Sequence, residues 1–226
     1  MPSLGQHGHE ASKLFSNLLL PASVLAGAVV SAGLITPLPA APSNEKQGAT
    51  FVRKTFPMLA FATIASEILC IIWSTMAINQ LSSKPVPMTE TVWALLHHKQ
   101  FALYWTAVNA HFVMGMLGFL GIIAARVYFM TGQGPAGNSA VGIIGAVTMY
   151  MLSIVNRTVT TGGGKARFGG SVMALFQNYA RLLWKGTSKK SSFGPLETAA
   201  FILFCFSVWS YFTTVWKQTK KSKKKD

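Results

Sequence analysis

The 226-residue chain is half hydrophobic, carries only 12% charged residues and has a mean hydropathy of +0.38. A water-soluble globular domain has about a quarter of its residues charged, so this composition excludes that class and predicts an all-α integral membrane protein. Twenty Lys and Arg against six Asp and Glu give a net charge of +14, which leaves few carboxylates from which to build an acid-based catalytic site.

In chain order, residues 1–17 read as a polar N-terminal tail ahead of a membrane bundle at 18–155. The first apolar stretch, 18–38, is punctuated by Pro21 and Pro37 and competes with a signal peptide. It is longer than the usual 7 to 15 apolar residues of a cleavable segment, which favours an uncleaved span. The second span, 56–78, is interrupted by Glu67, and the third, 101–125, lies between the His97-His98-Lys99 run and Arg126. The fourth, 140–155, follows a Gly/Pro/Asn loop at 132–138.

A basic connection covers 156–195 and contains a helix at 171–184. There Val172, Leu175, Phe176, Tyr179, Leu182 and Leu183 form one apolar stripe, with Asn178, Arg181 and Lys185 facing away. Ending in Trp184 and flanked by cations, this helix is expected to lie in the headgroup plane, or else against a partner protein. A last span, 196–216, and a Lys-rich tail, 217–226, complete a bundle of four to five transmembrane helices plus one amphipathic interfacial helix.

In a five-span arrangement the Lys and Arg residues divide evenly between the two faces, so the positive-inside rule gives no orientation. The terminal Lys223-Lys224-Lys225-Asp226 resembles the dilysine signal of endoplasmic reticulum membrane proteins, which would place the C-terminus in the cytosol. It reads equally well as a basic tail for anionic lipid headgroups. A thylakoid or other organellar membrane stays open. Asn156-Arg157-Thr158 is a glycosylation sequon set hard against a span, where use is not expected.

Glu67 falls in the middle of its span, where an ionised carboxylate costs about 2.5 to 3.5 kcal/mol even on the lenient insertion scale. It needs a partner or a proton. Thr63, Glu67, Cys70 and Ser74 share one helix face, which should point into the bundle. Asn109 and His111 lie at matching depth on the next span, so a contact from Glu67 to one of them is expected. Two residues apart on a helix means about 200° of rotation, so they cannot both face Glu67. Functionally, His111 would be an axial ligand to a haem or chlorophyll metal, or Glu67 and His111 a proton relay. Structurally, the same residues would be interhelical glue.

The segment Asn109-Ala110-His111-Phe112-Val113-Met114 resembles, at Asn109 and Met114, the Asn-Gly-Arg-x-Ala-Met helix motif of light-harvesting chlorophyll proteins. The resemblance implies Asn109 as a pigment ligand. Thr106 and His111 stand where that family has its Glu and Arg, so the characteristic ion pair is missing.

Gly162-Gly163-Gly164-Lys165-Ala166 lacks both the leading Gly and the magnesium-binding hydroxyl of a phosphate loop. His97 and His98 are adjacent and so diverge on a helix, which makes a shared metal improbable and interfacial water the expected setting. Cys70 and Cys205 both fall within spans and read as small buried residues. Gly27 with Ser31, Gly121 with Ala125, and Gly142 with Gly145 should allow close helix approach, and Gly115 with Gly118 would admit a neighbouring helix or a flat ring.

The leading expectation is a non-catalytic structural or assembly subunit of a larger membrane complex, since no nucleophile, base and orienter cluster is visible. The alternatives are a chlorophyll- or haem-binding subunit using Glu67, Asn109 and His111, and a small transporter or lipid-modifying enzyme. Other membrane subunits and anionic lipid headgroups are the expected partners. Nucleic acid is not, because the cations sit beside spans.

Overall fold

The computed structural model describes residues 4–41, 45, 47–83, 89, 91–132, 134–160, 171–189, 199, 202–203, 205–207, 209–211 and 213. Among them no strand occurs, and four helices are long and apolar enough to cross a membrane. The elements are α1 (Leu4–Val29), which continues as a π-helical segment (Val30–Ile35), α2 (Gln47–Ser83), α3 (Val92–Leu96), α4 (Ala102–Thr131), α5 (Pro135–Thr160) and α6 (Val172–Lys189).

Every long helix exceeds the apolar run that predicted it. α1 starts at Leu4, so residues 4–17 are helical rather than a tail, and Ala11 and Phe15 are fully buried. The 37 residues of α2 extend about 55 Å, well beyond a hydrocarbon core of about 30 Å. α5 begins five residues earlier than expected because Pro135 occupies its first position. Proline suits that place, where its fixed φ is helical and its missing N–H is not needed. The break before it belongs to Gly132, whose φ of +86° ends α4 in a conformation that favours glycine.

α4 is the hub: α1, α2, α5 and α6 all pack on it, and α1 also packs along α2. The largest apolar cluster joins Phe15, Cys70, Leu95, Leu96, Phe101, Trp105 and Val108. Sequence reading missed α3, which closes this end of the bundle. It is started by the Thr91 hydroxyl, which accepts from the Ala94 N–H at 3.1 Å, and it drives Leu95 and Leu96 into the core. His97 and His98 follow it, exposed, and hydrogen-bond locally to Trp93 and Gln100.

Arginines organise the opposite end. The Arg126 guanidinium donates to the carbonyls of Ala32 and Thr36, satisfying acceptors that the end of the π-helical segment leaves open. Arg53 pairs with Glu45 through Nη2 and Nε at 2.8 and 3.0 Å, donates to the Pro39 carbonyl, and stacks 4.4 Å over the Phe129 ring. Arg126 therefore does not end its helix: α4 continues a further turn while that side chain reaches across to α1.

The expected close-packing glycines are only partly used. Gly27 is open, since the buried stripe of α1 runs through Ala22, Val29 and Gly33. Gly33 takes the close approach instead, meeting Ala60 of α2. Gly121 touches Leu59 and Ala125 is buried, whereas Gly142 and Gly145 of α5 face open space. The expected span at 196–216 and the tail at 217–226 lie largely or wholly outside the described residues. The described positions from 199 to 213 are helical, and the Tyr211 hydroxyl donates to the Lys54 carbonyl at 3.2 Å.

Candidate functional site

The polar face expected on α2 points inward: Thr63, Glu67, Cys70 and Ser74 are all buried, and so is Ser66 beside them. Two glycines of α4 receive it. A Cβ added at Gly115 would overlap the Glu67 carboxylate, and one at Gly118 would overlap the Thr63 side chain. Absence of a side chain at these positions lets α2 and α4 close over a carboxylic acid and a hydroxyl. Gly115 and Gly118 thus seat a neighbouring helix, one of the two occupants the sequence allowed.

Glu67 meets neither of its expected partners. His111 lies one turn before Gly115 and turns toward Ser66: Ser66 Oγ is 3.2 Å from His111 Nδ1 and 3.0 Å from the His111 carbonyl oxygen. The far ring nitrogen, Nε2, is 2.9 Å from the Tyr179 hydroxyl of α6, and the two rings cross edge-on at 78°. One arrangement of protons satisfies all three contacts. The Ser66 hydroxyl donates to the carbonyl, Nδ1–H donates to Ser66 Oγ, and Tyr179 O–H donates to Nε2. The imidazole is then neutral, with both nitrogens in use.

Asn109 faces away from this network, as its two-residue offset from His111 requires. Its Nδ2 donates to the Trp105 carbonyl at 2.7 Å, one turn back on its own helix. Glu67 is fully buried, and neither carboxylate oxygen has a hydrogen-bond partner among the described residues. No cation approaches it there either. Arg126 lies eleven residues from Gly115 along α4, about 16 Å away, and Arg181 and Lys185 face outward from α6.

α6 brings Tyr179 to this place by the stripe seen in the sequence. Ser171 caps its start, accepting from the Ala174 N–H at 3.1 Å, and Leu175 is buried against Ala110 and Val113 of α4. Val172, Phe176 and Tyr179 extend the contact. The stripe therefore covers the chain's own α4, an occupant the sequence did not suggest, and Trp184 at its far end stays exposed. Trp73 stands beside the Tyr179 hydroxyl, while burial pushes that phenol above its usual range.

Two spaces adjoin these residues. One, of about 500 Å³, lies between α2, α4 and α6, with Thr63, Ser66, Met114, Leu117, Gly118 and Phe176 in its wall. The other, of about 580 Å³, is an almost wholly apolar cleft between α1, α4 and α5, floored by Phe112, Met116, Phe119 and Leu120. No group of three or more His, Cys, Asp or Glu side chains stands close enough to hold a metal among the described residues. Ser66 and Tyr179 are the site residues that sequence reading missed. Tyr179 was visible as part of a stripe, but its partner is 68 positions away, and nothing local points to it. Compared with known protein families, with curated proteins and with solved structures, the chain matches none of them.

Proposed function

We propose that this chain is a multi-pass membrane subunit with a structural or assembly role in a larger membrane complex, rather than a cofactor carrier. The observation that supports it is the use made of His111. Both of its ring nitrogens are engaged, by Ser66 of α2 and Tyr179 of α6, so the imidazole ties three helices together and has no free nitrogen for a haem or chlorophyll metal. Asn109, the other pigment-ligand candidate, donates through Nδ2 to its own backbone and stands apart from this network.

A partner surface is offered by α5. Its Ile143, Val147, Met149, Tyr150 and Ile154 are exposed, and Gly142 and Gly145 have nothing within 4 Å of where a Cβ would be. Apolar residues around open glycines are the composition that lets a second membrane helix approach closely. In this reading 196–216 is a fifth span, and α6 packs within the bundle against the middle of α4.

The test is native gel electrophoresis after mild-detergent extraction, with the absorbance spectrum of the same sample. A colourless complex larger than the chain alone, lost on Gly142→Leu and Gly145→Leu substitution, is expected. A chromophore that disappears in His111→Ala would reject the structural reading in favour of a cofactor carrier.

A further inference from the structure

We propose that Glu67 is a reversible proton-binding site: it is held as the neutral acid while α2 and α4 are closed, and its loss of the proton toward the cavity beside Thr63 and Ser66 opens the seam at Gly115. Four observations carry this. The side chain is fully buried and both carboxylate oxygens lack partners among the described residues. The glycine opposite leaves the space the carboxyl occupies, which a Cβ there would fill. The residues one place and one turn before it, Ser66 and Thr63, form part of the wall of the roughly 500 Å³ space between α2, α4 and α6. Finally, among the described residues no cation is positioned to stabilise an anion.

Its titratable surroundings are few. Cys70 is the next such group on α2. From α4 comes His111, occupied by Ser66 and Tyr179. α1 carries no titratable side chain between Lys13 and its end, and Tyr150 of α5 is exposed on the outer face. A carboxylate formed in the closed seam would be desolvated without compensation, whereas one formed with the helices parted could be hydrated. Protonation and closure are therefore linked: each favours the other. The seam and the His111 tie share Ser66, but His111→Ala removes the tie and leaves Glu67 in place, so the two ideas are tested separately.

Cys70, buried in the same seam, reports opening. In the full-length chain carrying Cys205→Ser, Cys70 is the single thiol, and its reaction with N-ethylmaleimide is followed from pH 6 to 9 in lipid nanodiscs. Thiolate chemistry alone raises the rate tenfold per pH unit. The chain with Glu67 should rise more steeply over the interval in which the carboxyl empties, and Glu67→Gln, which keeps a neutral group of the same shape, should return to tenfold. Parallel profiles in the two chains, or no reaction in either, would overturn the proposal. A lipid-soluble carbodiimide gives a second reading, because a neutral carboxylic acid adds across its C=N bond and the adduct rearranges to a stable N-acylurea. Labelling of Glu67 that declines as pH rises is expected. Labelling absent throughout, or unchanged with pH, contradicts it.

Discussion

Glu45, just ahead of the second helix, and Glu67, in its middle, are two carboxylates largely withdrawn from solvent, and they are treated in opposite ways. Glu45 receives two bonds from the Arg53 guanidinium and one from the Thr50 hydroxyl, and its side chain keeps 7% of its exposure. Glu67 receives a glycine, which supplies shape but no donor. At the rim, where water is near, the chain stabilises a charge with a counter-charge and uses the pair to hold the α1–α2 connection. In the middle of the bundle it accommodates the group without pairing it, which fits a neutral acid. A buried acid is thus a fastening only where its partner is supplied with it.

The contrast can be broken most severely at the glycine. Gly115→Val forces side-chain atoms into the Glu67 carboxyl and should lower the stability of the detergent-solubilised chain by about 3 kcal/mol, the upper end of overpacking costs, read from a denaturant titration. At the rim, Arg126→Met removes the charged donor from the Ala32 and Thr36 carbonyls and should cost about 1.5 to 3 kcal/mol in the same titration. Retention of wild-type stability by either variant would mean that the corresponding contact does not hold the helices.

Exchanging each acid for its amide sharpens the comparison with smaller effects. Glu67→Gln should raise stability at neutral pH, because the buried wild-type acid must take up a proton that the exposed carboxylate does not hold, and the difference should shrink as pH falls. Glu45→Gln should lower stability, by about 1 kcal/mol or less for a partly exposed pair. The Arg53 guanidinium holds the Glu45 carboxyl below its ordinary value of 4.5. The stabilisation is therefore complete above the unfolded value and is lost as pH falls through the lower, folded one. Acid titration of wild type against Glu45→Gln should converge below about pH 4. A constant difference down to pH 2 would show that charge is not the cause.

Much of the architecture was legible because apolar runs bounded by charge are strong signals: the helices containing Glu67, His111 and Ile143 lie where expected. Their ends were not, since Arg126 looked like a boundary and is instead a helical residue whose side chain bonds across to another element. The inward face of Thr63, Glu67, Cys70 and Ser74 followed from spacing alone. Which α4 residue each of them meets did not, because a helical repeat fixes direction around an axis but not the register between two axes. A shift of one turn exchanged His111 for Gly115 opposite Glu67. Tyr179 lay further out of reach, its role depending on how α6 docks along α4.

The most direct test of His111 as the tie between helices is a double-mutant cycle with Ser66→Ala, His111→Ala and Tyr179→Phe, taken pairwise, in lipid nanodiscs or mild detergent. Coupling of about 0.6 to 1.7 kcal/mol for both the Ser66–His111 and His111–Tyr179 pairs is expected, from the average to the maximum for hydrogen bonds between membrane helices. Additive effects in both pairs would show that the imidazole joins nothing, and would contradict its assignment as the residue that ties α2, α4 and α6.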